Sequence, residues 1–228
     1  PKHPLALELL EAVGVPLAAP SANLFGQTSP TLASHVEIDF PNLKILDGGP
    51  CEIGIESTVL KVTPLKDNRQ SLSILRKGLI TQSAITTALS SLKNDFEWAS
   101  SIESKHSPGH MKHHYMPAIP IVFFDGPANV ETYKEKIEND FSKIPNQIDD
   151  VIIVKPSGPI SRWETLQFSQ DPQLACRELY SKLKLKSVSN PQLLIFEKQT
   201  YMTGEIWEAF LERLTKAASL HYTTSTNS

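Results

Sequence analysis

From residue 119 onward the chain alternates short apolar runs with stretches of helical period, and this alternation limits the fold more than any other feature. PIVFF (residues 120–124) reads as a strand, residues 129–142 as a helix with Val130, Tyr133, Ile137 and Phe141 on one face, and VIIV (151–154) as the next strand. A helix over 172–184 carries Ala175, Leu179 and Leu183, QLLIF (192–196) is a further strand, and a helix over 205–218 carries Ile206, Phe210 and Leu214. Strands separated by helices cannot be hairpin neighbours, so the pattern predicts a small α/β domain with a parallel sheet over residues 119–219. It contains neither GxGxxG nor GxxxxGK[ST], so no standard phosphate-binding loop marks it.

The first part of the chain is less regular. A helix from Pro4 to Ala12, stopped by Gly14, leads into VPLAA (15–19), read as a buried strand. LKIL (43–46), STVLKV (57–62) and SLSILR (71–76) read as further strands, and TQSAITTALSSL (81–92) as a helix with Ile85 and Leu89. Residues 1–93 are therefore mixed α and β, residues 94–118 an interdomain linker holding SPGHMKHHYMP, and residues 220–228 a frayed Ser/Thr-rich tail. Between VPLAA and the next helical stretch lies APSANLFGQTSPT (19–31). Ser29 suits a helix N-cap and Pro30 a first turn, with TLASHV (31–36) as the helix, so this polar loop would run from a strand end to a helix N-terminus. Free N–H groups and the helix dipole favour anions there.

Composition narrows the function classes. The chain has 228 residues, a formal net charge of −3 and 40% hydrophobic residues, with a mean hydropathy of −0.20 and a pI near 6.2. This is enough for a sizeable core and two domains, with no overall basic field for nucleic acid or anionic lipid. The two cysteines, Cys51 and Cys176, have neither metal-ligand spacing nor a disulfide framework, which suits a reducing cytoplasm and packed thiols. No apolar run reaches the roughly 20 residues of a membrane span. The chain begins at Pro1, which suggests a missing N-terminal part.

Hydrolase signatures such as GxSxG and HExxH are absent. His106, His110, His113 and His114 could bind zinc or copper, or be loop histidines, since spacing alone does not make ligands converge. Ser21 and Asn23 read equally as turn residues bonding their own backbone and as contacts to a phosphate or ribose. Arg76, at a strand end beside glycine, is a salt-bridged surface residue or an anion clamp. Thr31 and Ser57 are by default ordinary helix and strand residues. Tyr115 either pins the linker to a domain or stacks on a base.

The segments HPLALELLEAVGVPLAAPSAN, SPT, ILDGGPCEIGIESTV, ILRKG and SPGHMKHHYMP occur in this order. Together they resemble the later part of the YrdC-like catalytic domain, and the linker, of the long two-domain threonylcarbamoyl-AMP synthases. The resemblance covers residues 1 to about 120 closely and the following α/β domain in position and pattern. A carbamoyltransferase-associated YrdC domain is the runner-up, and the linker and following domain speak against it. The resemblance implies a partial YrdC-like α/β twisted-sheet domain followed by a small Rossmann-like α/β domain. It implies an enzyme that makes threonylcarbamoyl-AMP and pyrophosphate from L-threonine, bicarbonate or CO2, and ATP with Mg2+. The product would pass to the machinery that forms N6-threonylcarbamoyladenosine in tRNA.

Carried over by motif, Ser21 and Asn23 of PSAN, Thr31 of SPT, Arg76 of LRKG and Tyr115 of the HY motif would bind ATP, with the linker as a lid, and Ser57 of EST would bind L-threonine. No residue would act as a catalytic nucleophile. The sequence departs from the family's pattern at Phe25, Lys77 and Met116, where serine, proline and alanine stand in the family, and at His113, where a basic residue often occurs. Lys77 would keep positive charge near the phosphates. Because the family's other threonine and phosphate ligands come from the first half of its catalytic domain, the 228 residues alone are expected to be an incomplete, nearly inactive enzyme. An RNA-binding or assembly module without synthase activity is the alternative from another class. Local contact with tRNA or double-stranded RNA stays open, salt-dependent RNA binding being what the alternative predicts, and no membrane contact is expected.

Overall fold

The computed structural model describes residues 1–92, 95–99, 115–148, 151–188 and 191–224. The first part opens with α1 (Pro4–Val13), which has proline in its first turn and Gly14 in the left-handed conformation as its C-cap, bonded back to Leu10. After a long irregular stretch comes α2 (Ala33–Asp39). β1 (Val59–Pro64) and β2 (Gln70–Arg76) then pair antiparallel, and β3 (Phe96–Trp98) adds to β2 in parallel beyond α3 (Gln82–Ala88). Thr81 caps α3 by accepting a hydrogen bond from the Ala84 amide.

Two expected strands and one expected cap do not form. VPLAA and LKIL are extended but unpaired, with Val15 at 58% and Leu46 at 61% exposure. Apolar character makes a strand only where a neighbouring edge accepts its hydrogen bonds, and none lies beside them among the described residues. Helix α2 starts at Ala33 with Leu32 as its N-cap and no side-chain cap bond, so Ser29 is not its cap. The Ser29 hydroxyl instead donates to Glu56 at 2.7 Å. With only seven residues and a start beyond the loop, α2 does not offer the anion-binding helix end expected there.

The second part follows the alternation closely. β4 (Ile121–Phe124) leads to α4 (Val130–Lys143), capped by the Asn129 side chain. β5 (Gln147–Ile148) and β6 (Val151–Ile152) form a separate antiparallel pair, so VIIV does not join the main sheet as expected. Its place is taken by β7 (Trp163–Thr165), followed by α5 (Pro172–Val188), β8 (Leu193–Glu197), α6 (Glu205–Ala217) and β9 (Leu220–Tyr222). The main sheet is parallel throughout, in the order β7-β8-β4-β9. Residues 220–222 are thus an edge strand of this sheet and not part of a frayed tail: Tyr222 buries its ring on Phe124 and its hydroxyl donates to Asp140 at 2.9 Å.

Both faces of the sheet are covered, which explains why its strands are apolar without alternation. Ile121, Phe123, Leu194 and Phe196 pack with α5 and α6. Val122, Phe124, Leu193 and Ile195 pack with Ile137 and Phe141 of α4. Successive side chains go to opposite faces, as strand geometry requires.

The core under α5 and α6 extends into the first part of the chain, since Ile55 and Tyr115 belong to it and Leu79 packs against it. Gly54 (φ +84°) lies so close to α5 that a Cβ there would sit 2.6 Å from Arg177 Cα and 2.7 Å from the Cys176 carbonyl oxygen. Lys184 of α5 pairs with Asp39 of α2 at 3.6 Å, with both side chains largely buried.

Candidate functional site

Of the residues singled out in the first part, Arg76 and Thr31 bond the strap 51–58 that holds Ser57, whereas Asn23 bonds only within its own loop. Arg76, at the end of β2, donates from Nε to the Ser57 carbonyl at 3.0 Å and from Nη2 to the Ser57 hydroxyl at 3.3 Å. Ser57 is exposed beside this guanidinium. Gly78 makes the approach possible, because a Cβ there would lie 2.5 Å from the Thr58 nitrogen and 2.9 Å from the Glu56 carbonyl oxygen. Ser21, Ser29, Thr31 and Glu56 line an open pocket of about 710 Å3, with Lys2 and His3 on its far side.

Thr31 is buried, and its backbone N–H donates to His35 Nδ1 at 3.2 Å, which makes that nitrogen an acceptor. Burial, followed by the charge of Lys184, holds the His35 pKa below its ordinary value against an opposing effect of Asp39. A neutral imidazole therefore fixes the end of the loop. Asn23 donates from Nδ2 to the carbonyls of Leu24 (2.9 Å) and Gln27 (3.1 Å), acting as a turn residue, while its Oδ1 is buried without a hydrogen-bond partner among the described residues.

Tyr115 closes the arrangement from the linker side. Its neighbour Met116 donates its N–H to the Gly26 carbonyl at 2.8 Å, joining the end of the linker to the polar loop, beside a parallel bridge between Gln27 and Met116. Tyr115 is 2% exposed, adopts φ +66°, and stacks on Tyr180 with ring centroids 5.7 Å apart. Such a backbone conformation is costly for a bulky residue and is held here by the surrounding packing. Burial first, then the negative charge of Glu56, pushes its phenol up to about 12, so it is a protonated hydroxyl throughout the physiological range. Arg76 and Arg213 act on it in the opposite sense, which places the tyrosine within the field of the Arg76 guanidinium.

Sequence reasoning missed the carboxylate at the centre. Glu56 accepts hydrogen bonds from Ser29 Oγ (2.7 Å), from the Tyr180 hydroxyl (3.1 Å to each oxygen) and from Arg213 Nε (3.2 Å). One signal could have exposed it: Arg213 lies on the same helical face as Phe210, Leu214 and Ala217, where an arginine needs a buried partner. Lys77, expected to keep positive charge near the phosphates, pairs with Glu208 of α6 at 2.6 Å. His106, His110, His113 and His114 lie outside the described residues, and the described residues hold no cluster of three His, Cys, Asp or Glu side chains able to bind a metal.

Residues 1–78 match a family model for Sua5, YciO and YrdC proteins, described as telomere recombination. Residues 80–219 match the model described as the threonylcarbamoyl-AMP synthase C-terminal domain. The chain belongs to the threonylcarbamoyl-AMP synthase family.

Among its relatives, the threonylcarbamoyl-AMP synthase of Bacillus subtilis (strain 168) is 42% identical over 128 residues, covering 55% of this chain and 36% of that protein. The threonylcarbamoyl-AMP synthase of Pyrococcus abyssi is 30% identical over 187 residues, covering 81% of this chain and 53% of that protein. The chain thus spans about a third to a half of the length of these relatives. The crystal structure of P. abyssi Sua5 complexed with L-threonine superposes with a TM-score of 0.67 at 24% identity, over 98% of this chain and 64% of that one. At that identity the superposition establishes the fold of both parts, a YrdC-like region followed by a Rossmann-like α/β domain. The break between the two family models after residue 78 precedes α3, whereas the sequence pattern puts the domain boundary near residue 93. No helix of the described residues is long and apolar enough to cross a membrane.

Proposed function

We propose that this chain carries one wall of the substrate site, and the companion domain, of an L-threonylcarbamoyladenylate synthase. In this reading L-threonine, bicarbonate or CO2, and ATP give threonylcarbamoyl-AMP and pyrophosphate, and the product serves N6-threonylcarbamoyladenosine formation in tRNA. The observation that carries it is the pairing of Arg76 with Ser57, in which a strand-end guanidinium is bonded to both the carbonyl and the hydroxyl of an exposed serine in the strap. An exposed hydroxyl, next in sequence to the Glu56 that lines the open pocket, and the cation bonded to it suit a small hydroxylated amino acid next to a phosphate chain.

The chemistry needs placement and charge neutralisation more than it needs a protein nucleophile. The threonine amine takes up CO2 as a carbamate, and a carbamate oxygen attacks the α-phosphorus of ATP as pyrophosphate leaves. Arg76 would face the phosphate charge, and Ser57 would hold the threonine. Tyr115 would cover the nucleotide and exclude water from the labile carbamate. Ser21, Asn23 and Thr31 would form the ATP wall, with the buried Asn23 Oδ1 as an available acceptor. Magnesium would arrive as part of the ATP substrate. Of the two glutamates that line the pocket, Glu56 has both oxygens bonded by protein donors and Glu52 pairs with Lys2 at 3.8 Å, so the ATP phosphates would supply most of the metal's anionic ligands. A cytoplasmic setting accords with two free cysteines.

The test is pyrophosphate release by the full-length protein with ATP, magnesium, bicarbonate, and with or without L-threonine. Threonine-dependent release that falls by about ten- to a hundredfold in Arg76→Ala, the loss expected for hydrogen bonds to a charged group, supports the reading. Release indifferent to threonine, or no release from folded protein that binds RNA in a salt-dependent way, overturns it in favour of an RNA-binding module.

A further inference from the structure

Glu56 is the meeting point of two parts of the chain far apart in sequence. Ser29 reaches it from the polar loop, Tyr180 from α5 and Arg213 from α6. Arg213 is 1% exposed and sits in the apolar face of α6. Its other contacts are weak, namely Nη1 to the Ala209 carbonyl at 3.5 Å and to Glu212 at 3.6 Å, while Nη2 has no hydrogen-bond partner among the described residues. Burying a guanidinium this incompletely satisfied contributes little to stability, since an apolar side chain of similar volume would serve the core as well or better. The ion pair instead fixes where Glu56 lies.

Two routes lead from this point to the substrate wall. Glu56 is covalently joined to Ser57, whose carbonyl and hydroxyl both hold Arg76. Tyr180, whose hydroxyl bridges both Glu56 oxygens, also presents its ring to Tyr115, and the amide of the next residue, Met116, is bonded to Gly26 of the polar loop. The same tyrosine therefore touches the strap and the lid residue.

We propose that Tyr180 and Arg213 are positioning residues: acting from the α/β domain through Glu56 and Tyr115, they set the placement of Ser57, Arg76 and the 19–31 loop. The inference rests on the synthase reading for the roles of Ser57 and Tyr115. It gives the α/β domain an indirect part in substrate binding, exerted through Glu56 and Tyr115.

The experiment uses Tyr180→Phe in the full-length protein, a change that keeps the ring and its stacking and removes only the hydroxyl. The KM for L-threonine is expected to rise about tenfold, the loss of one hydrogen bond to a charged group, with kcat within about twofold. In a Glu56→Gln background the same change should add less than about twofold, because the two residues act as one unit. Tyr222→Phe is the control. It removes a comparable tyrosine–carboxylate bond, to Asp140 on the opposite face of the sheet, and should leave the KM unchanged. A purely structural role would lower the active fraction, and so the apparent kcat, in both variants alike. An unchanged threonine KM in Tyr180→Phe, with the parent protein active, overturns the inference and leaves the synthase reading standing. If the parent shows no threonine-dependent release, that reading fails separately, and hydrogen exchange at the Met116 amide decides the positioning claim. Exchange about tenfold faster in Tyr180→Phe than in Tyr222→Phe supports it, and equal rates overturn it.

Discussion

Replacing Gly54 by alanine tests the contact between the strap 51–58 and α5 most directly. Two costs add. The residue has φ +84°, where an L side chain costs about 1–2 kcal/mol. The new methyl would also meet the Arg177 Cα and carbonyl oxygen at 2.6 Å and the Cys176 carbonyl oxygen at 2.7 Å. These are backbone atoms of a helix and cannot rotate away as a side-chain tip could, so overpacking adds about 1–3 kcal/mol. The sum, about 2–5 kcal/mol, corresponds to a fall in melting temperature of about 4–20 °C for a protein of this size. Gly14→Ala supplies the reference, because Gly14 has φ +70° and nothing within 4 Å of its would-be Cβ. It carries the conformational cost alone, about 2–8 °C. Thermal unfolding of both variants, followed by circular dichroism at one protein concentration, separates the two contributions. If Gly54→Ala melts within 1 °C of Gly14→Ala, the close approach of strap and helix is refuted.

Two further outcomes follow from the titratable groups. His35 has a folded-state pKa below its ordinary value of 6.5, so below that pH the unfolded chain takes up the proton more readily than the folded one. Stability should be fully present above about pH 6.5 and fall as the pH drops toward the depressed folded value, and His35→Gln should flatten that part of a melting-temperature profile measured from pH 8 to 5. Cys176 is buried with its thiol pushed up to about 12, whereas Cys51 is exposed. Iodoacetamide at pH 8 should label Cys51 within minutes and leave Cys176 unlabelled until the protein is unfolded, as peptide mass mapping would show.

How much could be read in advance depended on whether a signal was local. Helical faces such as Val130, Tyr133, Ile137 and Phe141 need only their own period, and α4, α5 and α6 formed close to where that period put them. Strands are different, since a strand exists only with its neighbour. VPLAA and LKIL have the composition without the pairing, whereas Trp163–Thr165 and Leu220–Tyr222 have the pairing with too few residues to show a pattern. At the candidate site, motif order brought Arg76, Ser57 and Tyr115 onto the page; the structure bonds Arg76 to Ser57, and Tyr115 packs on Tyr180. Glu56 stayed invisible because its partners Tyr180 and Arg213 lie 124 and 157 residues away. Asn23 could be read either way, and its side chain does close a turn within its own loop.

Helix α6 touches the first part of the chain at points eight residues apart. Near its start, Glu205 accepts hydrogen bonds from the backbone and hydroxyl of Ser83, and Glu208 pairs with Lys77; one turn and a half farther on, Arg213 holds Glu56. At 1.5 Å per residue those contacts span about 12 Å along a rigid rod. The helix therefore works as a ruler laid across both regions, keeping the distance between the start of α3 and the Glu56 strap constant. A displacement at one end of this helix has to slide or tilt the rod and so loads the contact at the other end.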